Sequence, residues 1–533
     1  MSKENIATQK TVWQKIFAWL YVIFPIKKHE WKKFLPISLL MASILFIYTL
    51  ARNVKDALIL TRATCGGAEC LSAIKLFGVT TFAVVFMVVF NYLRNKFEAN
   101  QIFYGTTSFF LAFFAVFAFV LYPNADKLHM SEATIRGLQS SVPFLSTLWP
   151  IIGNWSFSLF YIMSELWGSA VLSVLFWQFA NQITKVSEAK RHYGLYALIA
   201  NAIGGASAGK IISWSANVAI AKEAQGVSAA DALGSNLRIL ITCSLIVGTL
   251  GMLIYAWMRK NVLTDPNLYD PSQVSKKKKK MKMGLMDSLK LIAHSPYILL
   301  IAVLVLSYGV SINLFEAVWK GQVKTLYPGA NDYLSFDGKY SQATSLLTAI
   351  MTLLGTYIVR KTKWRTSAII TPLVILASAV VFFSVVIYKN RFGENAEIFG
   401  IRALVIAVMV GAIGNGISKS IKYTMFDSTK NMAYIPLDPE LKTRGQAAVE
   451  AVGGRFGKAG GSMIQQILFA VTGITSLPTL VPVIGPIVLL VLVAWICSVC
   501  GLSKKFEALV AKNEAEEAAA AEVTEKVEAT TSK

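Results

Sequence analysis

Apolar residues in this 533-residue chain are gathered into long runs separated by short polar links. Twelve runs stand out, at 34–54, 73–93, 102–122, 148–180, 193–217, 237–258, 297–322, 343–360, 367–389, 400–428, 445–472 and 479–500. Most exceed the roughly 20 residues that an α-helix needs to cross the hydrocarbon core of a bilayer. Helix is the expected element, because backbone groups in lipid must find partners within their own segment. The alternating strands of about ten residues that build a membrane β-barrel do not occur. The pattern predicts an all-α polytopic membrane protein with twelve transmembrane helices. The fourth and tenth runs are long and carry polar flanks.

The links set topology. Arg94 and Lys96, then Lys185, Lys190 and Arg191, then Arg360, Lys361, Lys363 and Arg365 all fall on one side of the predicted membrane. So does the link at 259–296, with Arg259, Lys260, the run Lys276 to Lys280, and Lys282. By the positive-inside rule that side is cytoplasmic, together with both termini. The basic link divides six helices from six. This suggests two six-helix halves, 34–258 and 297–502, in a major-facilitator-like fold. A shift of 252 lays Gly205-x-x-x-Gly209 over Gly457-x-x-x-Gly461, and Lys190 over Lys442. The flanks are a cytoplasmic segment, 1–33, and a cytoplasmic tail, 503–533, read as solvated helix or disorder. Within the first, residues 11–24 read as an interfacial helix ahead of Lys27, Lys28, Lys32 and Lys33. The run lacks a small-x-small cleavage site.

Composition supports the membrane reading. Hydrophobic residues make up 55% and charged residues 15%, with a mean hydropathy of +0.53. A soluble domain carries about 25% charged residues. A soluble multidomain enzyme is therefore excluded, and so is bulk disorder. The net charge of +22, from 52 Lys+Arg against 30 Asp+Glu, is read as topology and attraction for an anionic substrate rather than for nucleic acid. Five cysteines give no disulfide framework. Cys65 and Cys70 flank a short loop, and whether they pair stays open. Cys497 and Cys500 read as packing residues. The four histidines, His29, His129, His192 and His294, are scattered, so no metal site and no cofactor are expected. GGASAGKI, Gly204 to Ile211, nearly fits a phosphate-binding loop. It lacks the magnesium-binding hydroxyl and lies inside a membrane run, so it reads as close helix packing. No catalytic constellation is visible.

The informative residues are charges inside apolar runs, because burying a charge in a bilayer is costly and such groups usually face a cavity. Arg52, Lys55 and Asp56 interrupt the end of the first run. Glu165 is the only ionised residue across the fourth. Glu316 and Lys320 lie one helical turn apart, and Arg455 and Lys458 share a face among glycines. Each has a plainer reading. Arg52, Lys55 and Lys320 could snorkel to the interface. Glu316 and Lys320 could simply pair, and Glu165 could bridge to a distant lysine. Fixed cations in a membrane cavity would grip a polyanion, with carboxylates holding them when it is absent. Tyr161 and Trp167 are aromatic neighbours of Glu165, more often core packing than a slot for a base.

The stretches ARNVKDALILT, SELWGSAVLSVLFWQFANQITKVSEAKRHYGLYALIAN, NLFEAVWK and GGRFGKAGGS resemble the ATP:ADP antiporter family of plastids and of obligate intracellular bacteria such as chlamydiae and rickettsiae. The resemblance covers roughly residues 30–500. It implies a secondary transporter and not an enzyme, importing host ATP in exchange for ADP, with phosphate as a candidate third substrate, by alternating access. It implies a bacterial inner-membrane location, membrane lipid as surroundings, no nucleic-acid partner and a monomer as the working unit. By the family's pattern Lys55 and Lys458 contact phosphate, and Glu165 and Glu316 balance charge or gate. Arg52, Arg455 and Lys320 join the substrate-binding set by proximity. The alternative is a proton-coupled importer of nucleotides or another phosphorylated anion, in which Glu165 or Glu316 titrates.

Overall fold

The computed structural model describes residues 26–62, 64, 66–266, 268–269, 285–474 and 476–531. The expected interfacial helix at 11–24, the lysine run at 276–280 and Cys65 lie outside the described residues.

The described residues are almost wholly helical. Among them eleven helices are long and apolar enough to cross a membrane. They are α1 (Lys28–Thr61), α2 (Gly67–Lys96), α3 (Ala99–Leu121), α4 (Trp155–Ile183), α5 (Arg191–Ala224), α6 (Ala229–Asn261), α7 (Pro296–Leu326), α8 (Ala330–Val359), α9 (Trp364–Phe392), α10 (Ala403–Met432) and α12 (Val481–Glu516). Between the last two lies α11 (Pro439–Thr472), where the run at 445–472 predicts a crossing. Arg455, Lys458, Gln465 and Gln466 make it more polar than the others, and it stands outside that count. The described residues thus support eleven crossings by length and apolarity, against twelve expected. The tail continues α12 as helix to Thr531. A two-stranded hairpin, Glu397–Ile398 with Ile401–Arg402, joins α9 to α10. Its tip holds Phe399 and Gly400 at φ of 56° and 76°, the left-handed pair a tight hairpin needs.

Local chemistry explains the elements. Polar side chains of α1 bond back within their own helix: Ser38 Oγ donates to the Phe34 carbonyl, Thr49 Oγ1 to Leu45 and Asn53 Nδ2 to Thr49. This satisfies the two hydroxyls without a second segment, as an apolar solvent requires, while Asn53 also bonds to Ser341 Oγ of α8 at 3.1 Å. Helix α6 starts at Ser228, whose hydroxyl caps the Asp231 amide. Helix α11 starts at Asp438, capping Leu441, with Pro439 in the first turn, and ends at Gly473 in the left-handed region. Helix α4 widens to π-helical turns over Gly168–Phe176, α5 over Ala200–Gly205 and α10 over Lys422–Phe426. Such turns interrupt the regular hydrogen-bond ladder and are frequent at functional sites.

Two compact units emerge. One is drawn from Met1–Cys70, Phe77–Lys276 and Tyr327–Leu354, the other from Leu71–Leu76, Lys277–Leu326 and Gly355–Lys533. In the first unit α1 is central, packed on α4, α5 and α6. In the second α7 is central, packed on α10, α11 and α12.

Glycines set the close approaches. A Cβ on Gly204 would meet the backbone of Ala42 on α1, at 2.2 Å from its carbonyl oxygen. A Cβ on Gly209 would meet the Gln342 amide nitrogen of α8 at 2.4 Å and the Gly338 oxygen at 2.6 Å. The near-match to a phosphate loop is therefore helix packing, as its sequence context predicts. The second unit uses the same device: Gly309 of α7 lies against the backbone of Gly457 on α11, and Gly461 against Asn313. The glycine pairs that a 252-residue shift superimposes thus face different partners, α8 for Gly205 and Gly209, α7 for Gly457 and Gly461.

Candidate functional site

Each unit buries a charged cluster around its central helix. In the first, Lys55 of α1 has a side chain only 2% exposed, so it does not snorkel. Its Nζ lies 2.8 Å from Asp56 Oδ1 and 3.2 Å from Glu165 Oε1 of α4. The same ammonium stands 3.8 Å from the centre of the Tyr161 ring. Carboxylates and ring quadrupole together replace the water the lysine has lost. Glu165 therefore finds a partner 110 residues away (165 minus 55), the distant lysine that sequence leaves as its plainer reading. Arg52 lies one turn before Lys55 on the same face of α1, half-buried.

The rings near Glu165 are fully packed. Tyr161 holds Lys55 rather than an open slot, and Trp167 donates from Nε1 to the Ile44 carbonyl at 3.1 Å. Phe110 meets Trp167 edge to face. Both read as core in this conformation.

In the second unit Glu316 and Lys320 of α7 pair at 3.4 Å. A third residue joins them: Lys419 of α10 places Nζ 3.0 Å from the same Glu316 oxygen. All three side chains are largely buried, between 5% and 16% exposed. Sequence reasoning missed Lys419, although the criterion that selects Glu165 selects it too. It is a charge inside the tenth apolar run, followed closely by Lys422 and Asp427. Deeper along α7, buried Gln322 accepts from Lys389 of α9 at 2.8 Å. Arg455 and Lys458 belong to α11, one on each side of Gly457, which lies against α7. Their side chains lie outside the described residues.

A further ionic network in the first unit was also missed. Arg191 donates to both oxygens of buried Glu30, at 3.1 and 2.6 Å, and His192 Nε2 lies 3.2 Å away. Lys33 reaches Glu188 at 2.7 Å and the Leu268 carbonyl at 3.2 Å. These partners are 155 to 235 residues apart, and nothing local in the sequence marks them. Among the described residues no group of three His, Cys, Asp or Glu could hold a metal ion.

Chemically, both clusters are cations held in reserve by carboxylates. A group that is more negative than a carboxylate and can offer several oxygens would compete for them.

The chain is similar to known proteins over most of its length. The chain is 43% identical over 497 residues to ADP,ATP carrier protein 1 of Chlamydia pneumoniae, covering 93% of this chain and 95% of that protein. It is 43% identical over 494 residues to ADP,ATP carrier protein 1 of Rickettsia conorii, covering 92% and 97%. Among solved structures, a bacterial homologue of the iron transporter ferroportin in an inward-facing state aligns with a TM-score of 0.50 and 13% identity, over 86% of this chain and 98% of that one. That likeness is one of fold alone. The profile described as TLC ATP/ADP transporter matches residues 9–506, and with it this polytopic membrane chain belongs to the TLC ATP/ADP transporter family.

Proposed function

We propose that this protein exchanges ATP for ADP across a bacterial cell membrane, importing ATP by alternating access, with phosphate as a further substrate. Both termini face the cytoplasm in this reading, and the monomer is the working unit. One observation carries it: in a chain of this family, lysines inside membrane-length helices are buried and held by carboxylates. Lys55 and Lys458 contact the phosphates, assisted by Arg52 and Arg455. Glu165, with Asp56, holds Lys55 when no nucleotide is present, and Glu316 holds Lys320.

The physics is an ion exchange. A lysine that moves from a carboxylate oxygen to a phosphate oxygen keeps a charge-assisted hydrogen bond throughout. The displaced carboxylate is left buried and unpaired, which disfavours that conformation and favours another in which the charge is met. Nucleotide binding thereby has the differential contact that a conformational change requires.

The test is uptake of labelled ATP into proteoliposomes, with and without internal ADP, and with ATP, ADP, GTP and phosphate as competitors. Exchange predicts uptake that depends on internal ADP. Equal uptake into empty vesicles would overturn it in favour of a proton-coupled importer.

A further inference from the structure

The interior of the two units uses the same parts with the roles of the two helices exchanged, carboxylate and indole on α4 in the first and on α7 in the second. In the first unit Lys55 of α1 bonds to Glu165 of α4, and the Trp167 indole of α4 donates to the Ile44 carbonyl of α1. In the second, Glu316 of α7 bonds to Lys419 of α10, and the Trp319 indole of α7 donates to the Val408 carbonyl of α10 at 3.0 Å. Glu165 stands three residues before the π-helical stretch that starts at Gly168, and Lys419 three residues before the one that starts at Lys422. Lys419 thus holds in the second unit the place that Glu165 holds in the first, with the opposite sign.

Its local electrostatics are unequal. Lys320 and Lys419 both reach Glu316 Oε1, at 3.4 and 3.0 Å, so two ammonium groups are drawn to one oxygen and repel each other. Lys320 is fixed to Glu316 by their shared helix, one turn apart. Lys419 comes from another helix, next to a stretch where the ladder is interrupted. If either cation leaves, it is Lys419, and its departure relieves the repulsion while Glu316 stays paired.

We propose that Lys419 is a substrate contact that confers preference for the longer phosphate chain: it leaves Glu316 for the terminal phosphate when ATP binds and returns when ATP departs. This rests on the nucleotide-exchange reading above. ATP carries one more negative charge than ADP, and a mobile cation rewards that difference.

Binding of labelled ATP and ADP to the purified full-length protein tests it, in wild type, Lys419→Gln, Glu316→Gln and the double variant. Lys419→Gln should weaken ATP binding about tenfold and ADP binding by clearly less. Glu316→Gln removes the competing carboxylate and should tighten ATP binding. The double variant should bind as weakly as Lys419→Gln. A purely structural ion pair gives another outcome: both single variants weaken binding, by the same factor for ATP and ADP, and that result would overturn the proposal. If Lys419→Gln fails to fold, the direction of the Glu316→Gln change still decides. Wild-type affinities in Lys419→Gln would remove this role alone. Absence of any nucleotide binding by wild type would bring down the exchange reading, and this inference with it.

Discussion

Lys55 is the residue at which burial bears most directly on the proposed exchange. Its ammonium is shared between Asp56 and Glu165 and covered by the Tyr161 ring. Lys55→Ala and Lys458→Ala should each lower ATP/ADP exchange in proteoliposomes at least tenfold, the loss of one charge-assisted contact, about 1.5–3 kcal/mol. Both variants should still insert, because exchanging a lysine for alanine only makes either helix more apolar. Wild-type exchange in both would refute the phosphate assignment. Lys33 offers a contrast, a buried cation with a structural partner. Lys33→Met leaves Glu188 buried without its ion pair and should cost about 3–5 kcal/mol of stability. Adding Glu188→Leu should recover much of that loss. Thermal midpoints in detergent measure both, and a double variant no better than the single would show that the pair is not the cause. Charges inside apolar runs are legible in sequence because lipid makes them improbable without a purpose. The Lys33–Glu188 and Arg191–Glu30 pairs are not, because they lie at helix ends, where charge is ordinary.

At the scale of elements, the decisive contacts are between backbones. Helices α5 and α8 touch where Gly209 and Gly338 face each other. A Cβ on Gly338 would meet the Ser213 amide nitrogen at 2.6 Å and the Gly209 oxygen at 2.8 Å. Backbone cannot swing aside as a side chain can. Gly338→Ala should therefore force the helices apart and cost about 1–3 kcal/mol. Gly105→Ala in α3, where no atom lies within 4 Å, should be neutral or slightly stabilising. The difference between the two thermal midpoints is the measurement, and equal midpoints would mean that the contact carries no packing energy. The apolar runs foretell the positions of the helices well, since length and hydropathy suffice for that. They do not foretell the widened turns of α4, α5 and α10, because a run apolar on nearly every face has no phase for an extra residue to shift. Nor do they say which helix each glycine meets. Gly205 and Gly457 look alike in sequence, yet one packs on α8 and the other on α7, a matter of tertiary arrangement.

For the whole molecule, the exchange proposed here has an electrical consequence. ATP carries one more negative charge than ADP. When ATP enters as ADP leaves and nothing else moves, each cycle carries one negative charge inward. An inside-positive potential should then drive ATP accumulation. Across about 100 mV one elementary charge is worth about 2.3 kcal/mol, or roughly fifty-fold in the final gradient. Phosphate changes this. If a singly charged phosphate, H2PO4−, leaves with each ADP, the charge is balanced and the potential loses its leverage. Proteoliposomes with a potassium gradient and valinomycin set the potential directly. Vesicles loaded with ADP alone should show accumulation that rises steeply with inside-positive potential, and vesicles loaded with ADP and phosphate should show a flattened response. An equally steep response in both would remove phosphate from the substrates. A flat response in both would mean that another ion compensates each cycle, the signature of proton coupling, and Glu165 and Glu316 would then be the carboxylates to replace first.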